Sequence, residues 1–202
     1  MTAAPRVLLG IFVGGAARRM NGFPKGRLFA SAAGDTGGTS IVKHLVQLGN
    51  EMSMAPVFVG EAAAYAEEAP GVVALADAPA GIGPLGGLAA LLAHAREGHV
   101  IAVACDMPFV TREVLQRLRA HPSHATIVAA RRTADGPFEP FLARYDVHRT
   151  GGALEAYLRG GGRSFQRLFS TCDVTEWPLS AEERAAWNDW DTPEDVPPWA
   201  RP

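Results

Sequence analysis

The sequence has little cysteine and no long apolar run. Among its 202 residues only Cys105 and Cys172 are cysteines, too few for a disulfide framework and without the spacing of metal ligands. No stretch approaches the apolar length of a membrane span, and residues 1–6 lead into a strand that is too short for a signal peptide. We therefore expect a cytoplasmic protein without a membrane segment.

An excess of charge of one sign is also lacking. The net charge is −2, so the chain has no general attraction to nucleic acid or to an anionic membrane. With 48% hydrophobic and 20% charged residues, the composition is that of a globular chain of one or at most two domains. Any positive charge that binds an anion must be local.

The turn after the first apolar run lacks two common phosphate-binding signatures. It does not carry the dinucleotide pattern G-x-G-x-x-G, and Lys25 lies between Pro24 and Gly26 instead of following the glycine of a Walker loop. Without the dinucleotide pattern after its first strand, the chain is a poor match to a nucleotide-dependent oxidoreductase.

A glycine turn with basic residues follows the first apolar run, residues 7–13. It reads Gly14-Gly15-Ala16-Ala17-Arg18-Arg19-Met20, with Lys25 five residues later. Because glycine has no Cβ, its backbone N–H groups can approach an anion closely, and polyphosphate is the expected guest. The alternative is a plain strand-to-helix turn with solvated arginines.

A second motif follows another apolar run, residues 99–105. The run ends in Asp106-Met107-Pro108, which places a carboxylate at the carboxyl end of a predicted strand, where open α/β sheets bind ligands. Asp106 is therefore a candidate Mg²⁺ ligand. The alternative is a turn or helix-cap aspartate, although Thr111 is better placed to cap the next helix.

Short apolar runs alternate with helical patterns along the chain, which predicts an α/β fold with a mainly parallel sheet. The predicted strands are 7–13, 56–59, 72–76, 99–105, 125–129 and 138–145, and the predicted helices include 41–48, 62–68, 88–96, 153–158 and 164–169.

The two motifs, in this order, resemble those of the molybdenum-cofactor guanylyltransferases, and the resemblance covers nearly the whole chain. It rests on Gly14, Gly15, Arg19, Met20 and Lys25, and on Cys-Asp-Met-Pro at residues 105–108. It implies a Rossmann-like three-layer sandwich of the nucleotide-diphospho-sugar transferase type. Residues 1–202 would form one nucleotidyltransferase domain, with a nucleotide-binding half at 1–110 and an acceptor-binding half at 111–202.

The implied reaction transfers GMP from Mg-GTP to the phosphate of molybdopterin and releases pyrophosphate. Arg19 and Lys25 would neutralise the leaving phosphates, while Asp106 would hold Mg²⁺. The nucleotide-binding residues implied by the resemblance are Phe12, Val13, Gly14, Gly15, Lys25, Asp77 and Asp106. A cofactor-delivery protein or target enzyme is a further implied partner.

Two more segments resemble the family. Asp77 precedes Gly83-Pro84-Leu85-Gly86-Gly87, which matches the family's Gly-Pro-Leu-x-Gly, and it takes the place of an acidic residue near the nucleotide. Alternatively, Asp77 caps a turn and the glycines only allow close helix–sheet packing. Near the carboxyl terminus, Asp189 or Asp191 could add a second metal oxygen, or could cap the helix predicted to begin at Pro193.

Some positions depart from the family pattern. Phe12-Val13 replaces Leu-Ala, Pro24 replaces an acidic residue, and Gly60-Glu61 stands where an amide is common. Use of CTP, a phosphosugar acceptor, or a non-catalytic nucleotide-binding role therefore stay open as alternatives. Arginines that could meet an anionic acceptor are Arg131, Arg132, Arg163 and Arg167.

Overall fold

One mixed sheet organises the described chain. The computed structural model describes residues 7–14, 23–30, 38–133, 135–186, 190 and 192–201. Within these ranges seven strands form a single sheet in the order β3-β2-β1-β4-β6-β5-β7. The strands are β1 (Val7–Phe12), β2 (Ala55–Val59), β3 (Val73–Leu75), β4 (His99–Ala104), β5 (Ile127–Arg131), β6 (Phe138–Asp146) and β7 (Val174–Glu176).

Most neighbouring strands are parallel. The first four strands pair in parallel, β6 runs antiparallel to both β4 and β5, and β7 is parallel to β5. The predicted α/β class with a mainly parallel sheet is therefore confirmed. The carboxyl ends of β1, β2, β3 and β4 consequently lie along one edge of the sheet.

Helices cover both faces of the sheet. They are α1 (Ile41–Glu51), α2 (Pro84–Ala95), α3 (Arg112–Arg119), α4 (Val147–Arg159), α5 (Phe165–Phe169) and α6 (Ala181–Ala186). One apolar core contains the buried residues of α1 and α3, and a second contains those of α2, α4 and α5. This arrangement is the expected three-layer sandwich. No helix of the described chain is long and apolar enough to cross a bilayer.

Capping residues explain several helix boundaries. Ser40 accepts a hydrogen bond from the backbone of Lys43 and starts α1, and Thr111 caps α3 in the same way, as predicted. Asp146 caps α4 by accepting from the backbone N–H of Arg149.

The helix predictions were wrong in three places. The segment predicted as a helix over 62–68 forms only a 3-10 turn at Ala63–Tyr65. Helix α2 begins at Pro84, four residues before the predicted start, because Pro84 occupies its first turn after Gly83 at a φ of 68°. Helix α4 runs from residue 147 to 159 and not only from 153 to 158.

Candidate active site

The carboxyl ends of the first four strands bring Gly14, the first residue of the predicted glycine turn, and the predicted metal aspartate to one edge of the sheet. The backbone N–H of Val13 donates to the Val59 carbonyl at 2.9 Å, and that of Cys105 donates to the Phe12 carbonyl at 3.0 Å. These bonds extend the pairing of β1 with β2 and β4 by one residue. They hold Gly14 and Asp106 at neighbouring strand ends.

Lys25 and Asp106 form an ion pair at this edge. Lys25 Nζ lies 3.0 Å from Asp106 Oδ2, and the two side chains are 17% and 20% exposed. Lys25 opens a 3-10 turn, Lys25–Arg27, that returns the chain to the sheet after the glycine turn. A cation proposed for phosphate and a carboxylate proposed for a metal are therefore in direct contact.

Gly14 packs directly against Gly60. Gly60 has a φ of +102°, and a Cβ added there would lie 2.8 Å from Gly14 Cα. No side chain fits between the two loops without displacing Gly14, so glycine at residue 60 sets how closely the turn after β1 approaches β2. The backbone amide of Gly60 donates to the Leu75 carbonyl and links β3 to the same edge.

Asp77 lies beside the amino-terminal turn of α2. A Cβ added at Gly87 would lie 3.2 Å from Asp77 Oδ1 and 2.6 Å from Val59 Cγ1, so this glycine does permit close helix–sheet packing. Burial raises the pKa of the Asp77 carboxyl above its usual range. Within the described chain, no hydrogen bond or ion pair engages this carboxylate.

The carboxyl-terminal segment contacts the loop of Asp106. The backbone N–H of Trp190 lies 3.4 Å from the Asp106 carbonyl oxygen, and the Trp190 ring packs edge-on against Phe109 and Trp199. Trp190 stands between the two candidate metal aspartates in the sequence. The predicted site residues that lie outside the described residues are Gly15, Arg19, Met20, Asp189 and Asp191.

A metal at this site would depend on Asp106 and on the substrate. Within the described residues no group of three His, Cys, Asp or Glu side chains could hold a metal ion. Asp106 alone, partly exposed at a strand end, suits Mg²⁺, which binds through one or two carboxylates together with substrate phosphates. The residues present therefore fit a metal that arrives with a nucleotide.

The candidate acceptor arginines fall into two groups. Arg131 pairs with Glu176 and lies over the Phe138 ring, and Arg132 pairs with Glu139. Their charges are thus largely balanced within the protein. Arg163 and Arg167 instead line a cleft of about 550 Å³ beside the three glycines at 160–162.

A chain of aromatic rings links this cleft to the end of β1. Phe12 packs on Phe141 with ring centroids 4.8 Å apart, and Phe141 packs on Phe165 at 6.0 Å. Phe165 opens α5 between Arg163 and Arg167. The cleft and the carboxyl end of β1 therefore lie on the same side of the molecule.

Sequence reasoning missed Tyr65. This residue is 3% exposed and accepts a hydrogen bond from the backbone N–H of Gly26, the neighbour of Lys25. A tyrosine in an alanine-rich stretch gives no sign in the sequence that its hydroxyl makes that contact. The only available signal was Gly26 itself, a glycine directly after the lysine, which indicates close packing of the backbone.

Comparisons with known proteins agree with this geometry. A family model described as the MobA-like NTP transferase domain matches residues 10–174. A probable molybdenum cofactor guanylyltransferase from Opitutus terrae is 32% identical over 205 aligned positions, covering 96% of each chain.

Two solved structures show the same fold. Molybdopterin-guanine dinucleotide biosynthesis protein A from Archaeoglobus fulgidus matches with a TM-score of 0.70 at 24% identity, over 93% of this chain and 94% of that one. The 2-C-methyl-D-erythritol 4-phosphate cytidylyltransferase from Thermus thermophilus matches with a TM-score of 0.69 at 16% identity, over 95% of both chains.

Proposed function

The chain belongs to the family of MobA-like NTP transferase domains, and from this we propose that it transfers GMP from GTP to the phosphate of molybdopterin and releases pyrophosphate. Membership of the family makes the protein a nucleotidyltransferase. The observation that supports the proposal most is the Lys25–Asp106 pair at the carboxyl edge of the sheet. A lysine for phosphate beside a carboxylate for a metal is what transfer of a nucleotidyl group needs.

Positioning and charge stabilisation would provide most of the catalysis. The acceptor is already a phosphate oxygen, so attack on the α-phosphate needs no strong general base. Backbone donors at residues 12–15 would hold the nucleotide, and Lys25, with Arg19, would stabilise the charge on the leaving pyrophosphate. Asp106 would hold Mg²⁺, with help from Asp189 or Asp191. When bound, the metal would supply positive charge at the phosphate that is attacked.

Asp77 supports the choice of guanine. A carboxylate has two acceptor oxygens, and guanine is the base whose N1–H and 2-amino group donate side by side. The Asp77 carboxylate lies beside the amino-terminal turn of α2 with no internal partner among the described residues. Because Gly60 carries no amide side chain, recognition of the base would depend more heavily on Asp77.

The cleft of Arg163 and Arg167 supports an anionic acceptor. Helix α4 begins directly after Asp146, which pairs with His99 at the amino end of β4. From there the helix runs toward the opposite edge of the sheet, which holds Asp106. Guanidinium groups pair well with phosphate. This supports a division of labour between residues 1–110 for the nucleotide and residues 111–202 for the acceptor.

The test is acceptor-dependent pyrophosphate release by the purified protein. The assay compares GTP, CTP, ATP and UTP with Mg²⁺, each with and without molybdopterin. Release that requires both GTP and molybdopterin supports the proposal. Release with CTP keeps the reaction and changes the base, and release with a sugar phosphate in place of molybdopterin changes the acceptor.

A binding role without catalysis is the remaining alternative. If folded protein binds GTP in calorimetry but releases no pyrophosphate with any nucleotide or acceptor, the protein is a nucleotide-binding module. The presence of both Lys25 and Asp106 in contact favours the enzyme, because a module that only binds could lose either residue.

A further inference from the structure

We propose that the Tyr65 hydroxyl is a positioning group that holds Lys25 in place beside Asp106 for the transfer reaction. The inference rests on the proposed function, since it concerns the same pair of residues. Tyr65 ends the 3-10 turn after β2 and is almost fully buried, so it does not touch substrate. Its hydroxyl accepts a hydrogen bond from Gly26, the immediate neighbour of Lys25.

The first contact is on the side of Lys25. The Gly26 backbone N–H donates to the Tyr65 hydroxyl oxygen at 3.3 Å within the core. A Cβ added at Gly26 would lie 2.8 Å from Tyr65 Cε1 and 2.3 Å from Val42 Cγ2, so the turn rests directly on the tyrosine ring. The adjacent Arg27 pairs with Glu68 at 2.9 Å, so a second contact joins the turn to the segment that carries Tyr65.

Tyr65 also lies in the core beneath the Asp106 loop. Tyr65 and Cys105, the residue before Asp106, are buried in the same apolar cluster. The tyrosine hydroxyl therefore accepts from the Lys25 turn while its ring packs in the core that Cys105 shares.

The hydrogen bond and the ring packing restrict how far Lys25 can move from Asp106. Without the hydroxyl, the Gly26 N–H would be buried without a partner, and the turn would have to shift to reach water. A displacement of about 1 Å at a reacting group can reduce the rate by about a hundredfold. The ring packing against Phe58 would remain, since it does not involve the hydroxyl.

The test is Tyr65→Phe with Tyr145→Phe as its matched control. Tyr145 is also fully buried, and its hydroxyl donates to the Pro140 carbonyl at 2.6 Å, in strand β6. Each substitution removes one buried hydroxyl and keeps the ring. Three properties are measured for both variants and the wild type: hydrogen exchange of the peptide spanning residues 24–28, the thermal unfolding midpoint, and kcat and KM for pyrophosphate release.

We expect Tyr65→Phe to increase exchange at residues 24–28 and to lower kcat by about tenfold or more, as for other misplaced catalytic groups. Tyr145→Phe should change neither the exchange at residues 24–28 nor kcat, even if it lowers the unfolding midpoint as much as Tyr65→Phe does. Unchanged exchange in Tyr65→Phe overturns the proposal whether or not the enzyme turns over. So does a loss of kcat that is the same in both variants. If wild-type protein releases no pyrophosphate, the proposed function fails, and the exchange result still decides the role of Tyr65.

Discussion

Lys25 Nζ lies 3.0 Å from Asp106 Oδ2, although 81 residues separate the two in the sequence. Each side chain balances the charge of the other at the strand edge. A nucleotide with its metal would offer Lys25 a phosphate and Asp106 a cation, so both partners would exchange one ionic contact for another. This exchange lets the site stay charged without leaving either group unpaired in the free protein.

Asp106→Asn should abolish turnover while leaving the protein folded. The amide keeps the shape of the side chain but removes the negative charge that would hold the metal. The measurement is pyrophosphate release together with a circular dichroism melting curve. The matched control is Asp173→Asn, an exposed aspartate just before β7. Near wild-type activity in Asp106→Asn would show that the metal assignment is wrong.

Lys25→Ala should lower kcat by an amount equivalent to about 2–4 kcal/mol, the loss found when one preorganised electrostatic donor is removed. The lysine would act on charge that develops on the leaving pyrophosphate. Its control is Lys43→Ala, which truncates an exposed lysine on α1. The measurement is kcat of both variants in steady-state kinetics. An equal loss of kcat in the two would contradict a special role of Lys25.

Asp77→Asn should reduce the preference for GTP over the other nucleotides. An amide presents one acceptor and one donor where the carboxylate presents two acceptors. Burial raises the pKa of Asp77, which means that the folded state disfavours the ionised carboxylate. This lowers the free energy of unfolding most at pH values above that pKa. Asp77→Asn should therefore unfold no more readily than the wild type at neutral pH, which a denaturant titration measures.

The same shift gives a pH dependence. As the pH is lowered from neutrality, Asp77 takes up its proton earlier than an ordinary aspartate, and GTP affinity should weaken with it. Calorimetry over a pH series checks this in the wild type and in Asp77→Asn, where that part of the dependence should be absent. A GTP affinity with the same pH profile in both proteins would exclude Asp77 from base recognition.

Gly60→Ala should destabilise the protein and impair nucleotide binding together. Alanine at a positive φ costs about 1 kcal/mol, and here the new methyl group would also press on Gly14. Gly71→Ala is the matched control, because its φ is +82° with nothing within 4 Å of the added Cβ. Denaturant titration and GTP binding should show a larger loss at residue 60, and equal losses would mean that contact with Gly14 is unimportant.

Arg167→Gln should raise the KM for molybdopterin with little change in the KM for GTP. The guanidinium lines the cleft beside the three glycines and would pair with the acceptor phosphate. Arg112→Gln serves as control, since Arg112 pairs with Glu51 on α1. A rise in the KM for GTP alone would place Arg167 with the nucleotide instead of the acceptor.

The sequence predicted the strands better than the helices. Apolar runs marked β1, β2, β4 and β6 closely, because strands buried in the middle of a sheet need such runs. Helix α4 was underestimated because Gly151 and Gly152 interrupt its pattern, and its cap, Asp146, lies at the end of a strand. The three residues of β7 were missed, since so short a strand depends on its pairing with β5.

For the site, local motifs located Lys25 and Asp106 but not their contact. The pairing of Gly14 with Gly60 and the role of Tyr65 are long-range packing relationships, which no spacing within one segment can reveal. The roles of Arg19, Asp189 and Asp191 stay predictions.

The contacts of the last described residues have a consequence for biosynthesis of the protein. The Ala200 carbonyl accepts from the backbone of Phe29, and Trp190 reaches the Asp106 loop. Both loops around the active site therefore await residues that the ribosome adds after all seven strands of the sheet. A nascent chain can pair β1, β2 and β4 earlier, but its catalytic edge gains these backbone partners only after Ala200 has been synthesised and has left the exit tunnel.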